Sequence, residues 1–384
     1  MQNEPHLKPK ISPKLTEYEA YAWEEEFNFT DGHARHHSTA EIARIIREFG
    51  TEQIRQDELE NNFHYSYFDL AGQNGADRQF TLYNSSASLS IEIVANYLRL
   101  KKHSVALIEP TFDNISDIFK RHAVQCIPIP EQLFIRIEEL EELWNNGREF
   151  DALFVVTPNN PTGFTLDRAN FSALVDFCVR HNVLLIADFT FRFYSVEMSL
   201  WDQYSIAEYS GVSYIFIEDT GKTWPSLEIK VSPLVASSSI FDEVKRIFLD
   251  LFICLSPFNF GLLTRIIAES SAFDSEYGVL SIANRNRRRL RDSLYGAPLI
   301  PVTTLGIPVE WVFIDAQMQD VHLERLLSAY GIFILPGRNF FWSDRNSNTQ
   351  FMRVALMREE ETFSRGMARF SDAIEQIFIS SQQT

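Results

Sequence analysis

Four short segments of the chain are apolar without interruption and stop at a polar residue. They are Ser104-Val-Ala-Leu-Ile-Glu, Ala152-Leu-Phe-Val-Val-Thr, Val183-Leu-Leu-Ile-Ala-Asp and Tyr214-Ile-Phe-Ile-Glu-Asp. A half-exposed strand would alternate apolar and polar. Unbroken runs of this length predict parallel strands buried on both faces, whose C-terminal ends open into a site. Between them lie amphipathic stretches such as Phe171-Ser-Ala-Leu-Val-Asp-Phe-Cys-Val-Arg-His, with apolar residues three and four apart. Strand and helix in alternation predict a doubly wound α/β domain with a mostly parallel sheet. After residue 295 the pattern changes: Val309-Glu-Trp-Val-Phe-Ile-Asp, Gly331-Ile-Phe-Ile-Leu and Phe351-Met-Arg-Val-Ala-Leu alternate with helices in a smaller α+β unit. At the other end, a polar and aromatic segment with Pro5 and Pro13 reaches Asp31-Gly32-His33-Ala34-Arg35, where Gly32 marks a turn, and a helical pattern follows from Thr39. The expected organisation is an N-terminal segment and first helix (1–45), a large domain (46–294) and a small C-terminal domain (295–384).

Length agrees with this division, since 384 residues exceed what one small core serves. Hydrophobic residues at 45% and charged residues at 23% are ordinary for a folded protein. The formal net charge of −17 argues against a nucleic-acid partner, which calls for a basic surface. It fits a cationic substrate too, although surplus acid is ordinarily a solvated face. Cys126, Cys178 and Cys254 are odd in number and widely spaced in apolar surroundings, so buried thiols are expected rather than a metal site or a disulfide framework. The N-terminus has no apolar signal region, and no apolar run is long enough to span a bilayer. The expectation is a cytoplasmic protein.

Chemistry concentrates at the predicted strand ends. Asp188 closes an apolar strand, where a carboxylate is costly unless paired; a protonated pyridine nitrogen is one partner, and a helix-capping role is the plainer alternative. Thr157-Pro-Asn-Asn160-Pro161-Thr162-Gly163 follows another strand as a proline-set turn that aims the Asn160 amide into a cleft. Ser85 and Ser86, ahead of Leu89-Ser-Ile-Glu-Ile-Val-Ala-Asn-Tyr, suit a phosphate cradle at a helix N-terminus or a simple N-cap. In Asp219-Thr-Gly-Lys222-Thr-Trp-Pro, a partly desolvated Lys222 amine would have a lowered pKa and form imines readily; a lone loop lysine is more often solvated.

Taken in order, the serine-rich cradle, Pro110-Thr111-Phe112, Asn-Asn-Pro-Thr-Gly, Asp188, Lys222 and Arg353 resemble the aminotransferase superfamily of pyridoxal 5'-phosphate (PLP) enzymes of fold type I, over nearly the whole chain. The resemblance implies that Lys222 is the Schiff-base lysine and Asp188 the partner of the pyridine nitrogen. It implies that Asn160 binds the pyridine hydroxyl oxygen and that Phe112 stacks on the ring. Lys230 stands where the family has a phosphate-binding arginine, and Arg353 would hold the substrate carboxylate bidentately. A homodimer is implied, with Tyr67 reaching the phosphate of the neighbouring subunit. Two positions depart from the family: Phe191 replaces the usual tyrosine three residues after the aspartate, and Lys230 keeps the arginine's charge without its fork.

Those departures, with Asp31-Gly-His-Ala-Arg, Pro110-Thr-Phe-Asp-Asn-Ile and Ile217-Glu-Asp-Thr-Gly-Lys-Thr-Trp-Pro, are similar to the PLP-dependent L-arginine hydroxylase/oxidase group of enduracididine-type biosynthesis. Leu15-Thr-Glu-Tyr-Glu resembles the N-terminal lid of that group. The resemblance implies that Glu19 and Asp219 bind the guanidinium, with Thr16, Asp31 and His33 supplied by the lid. His33 is implied as the acid/base, with a surface histidine beside His36 and His37 as the alternative. The expected activity is O2-dependent oxidation or hydroxylation of L-arginine to 2-oxo acids. Cyclodehydration of 4-hydroxyarginine to a cyclic guanidine amino acid and simple transamination are the alternatives.

Overall fold

The computed structural model describes residues 14–36, 43–47, 55–226, 228–269, 278–303 and 305–381. His37 and most of the helical pattern expected from Thr39 lie outside the described residues; residues 43–47 are helical. A two-residue strand, β1 (Phe27–Asn28), is the first. Then come β2 (Thr81–Asn84), β3 (Val105–Glu109), β4 (Cys126–Pro130), β5 (Ala152–Val156), β6 (Leu184–Asp188), β7 (Tyr214–Ile217) and β8 (Ser232–Ala236). They form one seven-stranded sheet in the order β2-β8-β7-β6-β5-β3-β4. Only β8 runs against its neighbours. The four runs expected as buried strands are β3, β5, β6 and β7, and their apolar side chains are enclosed by helices on both faces.

Because β2, β3, β5, β6 and β7 run the same way, their C-terminal ends lie along one edge of the sheet. That edge carries Ser85 and Ser86 after β2, Pro110 after β3, Thr157 after β5, Asp188 on β6 and Glu218 with Asp219 after β7. A doubly wound sheet places its ligands outside this edge.

The second unit contains β9 (Leu299–Pro301), β10 (Val309–Ile314), β11 (Ile332–Phe333), β12 (Leu335–Pro336) and β13 (Phe351–Ala355). An antiparallel sheet of order β12-β13-β10-β9 packs against the helices Asp320–Ala329 and Glu360–Ser381, while β11 pairs in parallel with β1. Packing divides the chain differently from the expected boundaries. Leu290 and Leu294, at the end of the helix Val279–Ser293, join the core of the second unit, and so do Phe27 and Phe29 from the N-terminal segment. The reason is tertiary: these apolar faces meet Val312, Met352 and Phe363 rather than the large sheet. Among the described residues, no helix is long and apolar enough to cross a membrane.

Candidate active site

Lys222 lies in the turn after β7. Burial pushes its amine below the usual lysine range, opposed in part by the Glu19 carboxylate. Tyr194 donates its hydroxyl to the Lys222 carbonyl at 2.7 Å and pins the turn. A Cβ at Gly221 would stand 2.7 Å from the flexible Lys230 stem, which would have to shift to admit it. The Lys222 Nζ is 3.3 Å from His33 Nε2, and Lys230 Nζ is 2.7 Å from the same atom. The histidine thus meets both lysines across the cleft.

His33 is oriented from behind. Asp31 Oδ1 accepts its backbone N–H at 3.0 Å and lies 3.1 Å from Nδ1. A proton on Nδ1 satisfies that contact and leaves the Nε2 lone pair facing the amines. Burial and the Lys222 charge push the His33 pKa down, consistent with a neutral ring. For Asp31, burial alone would raise the pKa; Arg358, the His33 hydrogen bond and Arg35 outweigh it and hold the carboxyl well below its usual range.

Asp188 is buried at the end of β6 and accepts the Thr190 N–H at 2.9 Å. Burial raises its pKa to about 6, against the Thr190 hydrogen bonds. A carboxylate kept at such cost without a cation fits a site that receives one, which is what a protonated pyridine nitrogen supplies. Asn160 Oδ1 accepts from Arg353 Nη1 at 3.2 Å, leaving the amide N–H groups for a ligand oxygen. Arg353 is fully buried on β13, where Nη2 donates to the Thr30 carbonyl and lies 3.4 Å from Glu19. Its Nε has no hydrogen-bond partner, so one donor of a buried guanidinium is left for an anion. Phe112 and Phe340 flank the guanidinium at 5.9 and 5.6 Å. Burial raises the Glu19 pKa against the pull of Arg353 and Lys222.

The donor set therefore fits PLP: an amine of lowered pKa, a buried acid, an amide, and the Lys230 cation beside the same histidine as Lys222. Five expected residues have contacts or exposure that define their places. Asp219 is occupied as a strut, its Oδ1 accepting the Gly221 N–H at 2.6 Å and its Oδ2 the Ala87 N–H at 2.8 Å. It ties the Lys222 turn to the first residue of the helix Ala87–Lys101 instead of standing open for a guanidinium. Tyr67 is wholly buried and its hydroxyl donates to Glu218 at 3.0 Å. Ser86 is the N-cap, accepting the Leu89 N–H at 3.2 Å, while Ser85 is exposed beside it. Thr16 sits on the exposed side of the helix Leu15–Tyr21.

Residues 52–369 match the family described as aminotransferase class I and II. The chain belongs to that family. Its members are PLP enzymes that act on amino acids, and the site above is built for that cofactor. The structure is similar to that of MppP soaked with the product 2-ketoarginine, with a TM-score of 0.81 and 29% identity over 90% of this chain and 99% of the other. It also matches LysN, the α-aminoadipate aminotransferase of Thermus thermophilus, at a TM-score of 0.76 and 14% identity over 94% and 95% of the chains, a likeness of fold. In sequence it is 26% identical to the histidinol-phosphate aminotransferase of Clostridium kluyveri over 56% of this chain. The match spans 57% of that relative, just over half its length.

Several functional residues escaped the sequence reading. Arg358 grips the loop that carries Asp31 and His33. Glu218 accepts from Arg192, Tyr204 and Tyr67 beneath the Lys222 turn. Glu228 pairs with Lys230 at 2.5 Å. Only Glu218 left a trace in the sequence, as a second acid beside Asp219 at a strand end. Phe191 also gains a reason: its Cζ is 3.8 Å from where a Cβ on Gly32 would stand, so a tyrosine hydroxyl there would extend toward the loop.

Proposed function

We propose that this enzyme is an O2-dependent oxidase or hydroxylase of L-arginine, serving the biosynthesis of a modified arginine. The observation that carries the reading is His33 Nε2, held 3.3 Å from Lys222 by a segment that crosses from the other side of the cleft. A transaminase needs one lysine to move a proton. A second base of fixed tautomer beside it suits a reaction in which further protons leave the substrate.

PLP bound through Lys222 supplies the electron sink that acidifies the substrate's Cα proton. Lys222 takes that proton, and Asp188 holds a cation at the floor of the site. Asn160 would donate an amide N–H to the cofactor's ring oxygen, and Phe112 would pack against the ring. Lys230 and the Ser86 hydroxyl would hold the phosphate. Arg353 binds the substrate carboxylate through its free Nε–H. Glu19 takes the guanidinium, so that a substrate with both charges replaces the Glu19–Arg353 contact with a counterion for each. With both Asp219 oxygens on backbone amides, that task falls to Glu19 within one chain. A homodimer is the assembly that suits the family.

The similarity to MppP, described with 2-ketoarginine, supports this reading. In oxidative deamination, arginine, O2 and water give the 2-oxo acid, ammonia and hydrogen peroxide. The curated relatives support a second reading, plain transamination. Aerobic and anaerobic incubation with L-arginine and 4-hydroxyarginine, followed by mass analysis, separates them. Oxygen uptake with peroxide and ammonia release is the expected result. Amino transfer to a 2-oxo acid without oxygen uptake, or ring closure of 4-hydroxyarginine, would overturn it.

A further inference from the structure

Arg358 follows β13, on the second unit, yet the long-range bonds of its side chain go to the N-terminal segment. Its Nε donates to the Asn28 carbonyl at 2.7 Å. Nη2 donates to the Asp31 carbonyl at 2.8 Å and to Asp31 Oδ2 at 3.1 Å. Nη1 donates to the His33 carbonyl at 3.3 Å and to Met357 O at 3.1 Å. One buried guanidinium thus takes up the carbonyls of Asn28, Asp31 and His33, at and beyond the end of β1.

The same contacts divide the Asp31 carboxylate into two halves. Oδ2 faces Arg358 and the Asn28 amide, at 3.1 and 3.2 Å, with Arg35 farther out at 3.5 Å. Oδ1 faces the backbone and ring nitrogens of His33. A continuous line of polar contacts therefore runs from Arg358 through Asp31 and His33 to Lys222. We propose that Arg358 is a positioning residue, the clasp that shapes residues 28–33 so that His33 meets the Lys222 amine with its Nδ1 proton committed to Asp31. The role of His33 in the chemistry rests on the proposed function; the clasp itself does not.

The geometry of the fork is essential to this role. An ammonium at the same place would keep the charge opposite Asp31, but its donors diverge from one atom and do not span from Asn28 to His33. Arg358→Lys therefore separates charge from shape, and Arg358→Ala removes both.

Hydrogen exchange read by mass spectrometry on the cofactor-loaded protein tests the clasp directly. Amides of residues 28–36 should exchange roughly tenfold faster or more in both variants, while β5, β6 and β7 keep wild-type protection. Wild-type exchange in this segment in either variant would overturn the proposal, because charge alone, or neither property, would then suffice. Should Arg358→Ala fail to fold, Arg358→Lys carries the test. Turnover of arginine is read alongside: the kcat limb that reports a base should shift in pH while KM changes little. Faster exchange with an unaltered pH profile would leave the clasp standing and remove His33 from the proposed chemistry.

Discussion

The floor of the site and the loop that covers it are built on opposite principles. The floor consists of the ends of β6 and β7, and its acids find their partners within the large unit. Asp188 takes the N–H two residues on, Asp219 takes that of Gly221, and Glu218 gathers Arg192, Tyr204 and Tyr67 into one buried knot. The loop 28–33 has little wiring of its own beyond Asn28, Thr30 and Asp31, and depends on Arg353 and Arg358 more than 300 positions later. A floor of this kind is present whenever the sheet is folded. The loop is in place only when the second unit brings its arginines.

The comparison is sharpest at Lys222. Lys222→Ala should abolish the visible absorbance of bound cofactor and lower turnover about 10⁴-fold, the upper range for removing a positioned proton carrier, while the far-ultraviolet spectrum is unchanged. Retained colour would place the anchor elsewhere. Next is the knot: Glu218→Gln leaves the buried Arg192 without its counterion and should cost about 3–5 kcal/mol in urea unfolding, with the loss spread over the whole large sheet. A variant that loses only the 28–36 segment would contradict the distinction between floor and loop.

Asp188 gives a pH test. Its carboxyl is raised from 3.8 to about 6 by burial, so in the cofactor-free protein its contribution is present below pH 4 and fades as pH rises through 6. Cofactor-free Asp188→Asn should therefore gain on the wild type by about 3 kcal/mol between pH 4 and 7.5, from the size of that displacement. Cofactor retention should move oppositely, weaker in the variant. A pH-independent difference would mean that Asp188 is ionised without cost. The smallest effect is expected at Gly221→Ala, where the new Cβ displaces the flexible Lys230 stem. Cofactor affinity should fall by roughly 1 kcal/mol, about fivefold by titration, with unfolding little changed.

Legibility followed the same line. Asp188, Asn160 and Lys222 are readable because each sits at the end of an apolar run, and the direction of a parallel strand sends such residues to one edge. Asp219 was legible in place but not in use. Nothing in Asp-Thr-Gly-Lys says that two backbone amides, one from a helix 132 residues away, will take both oxygens. Tyr67 illustrates the reverse, since its destination depends on Glu218, 151 residues on.

The chain alone determined four buried strands of the sheet and their common direction, because unbroken apolar runs are local, and its ordered motifs carried the resemblance to the family. The structure decided what Asp219 and Tyr67 touch, which core claims the helix Val279–Ser293, and how His33 is held beside Lys222. Those outcomes depend on side chains meeting across hundreds of residues, where burial makes a single hydrogen bond decisive and no spacing in the sequence records the encounter.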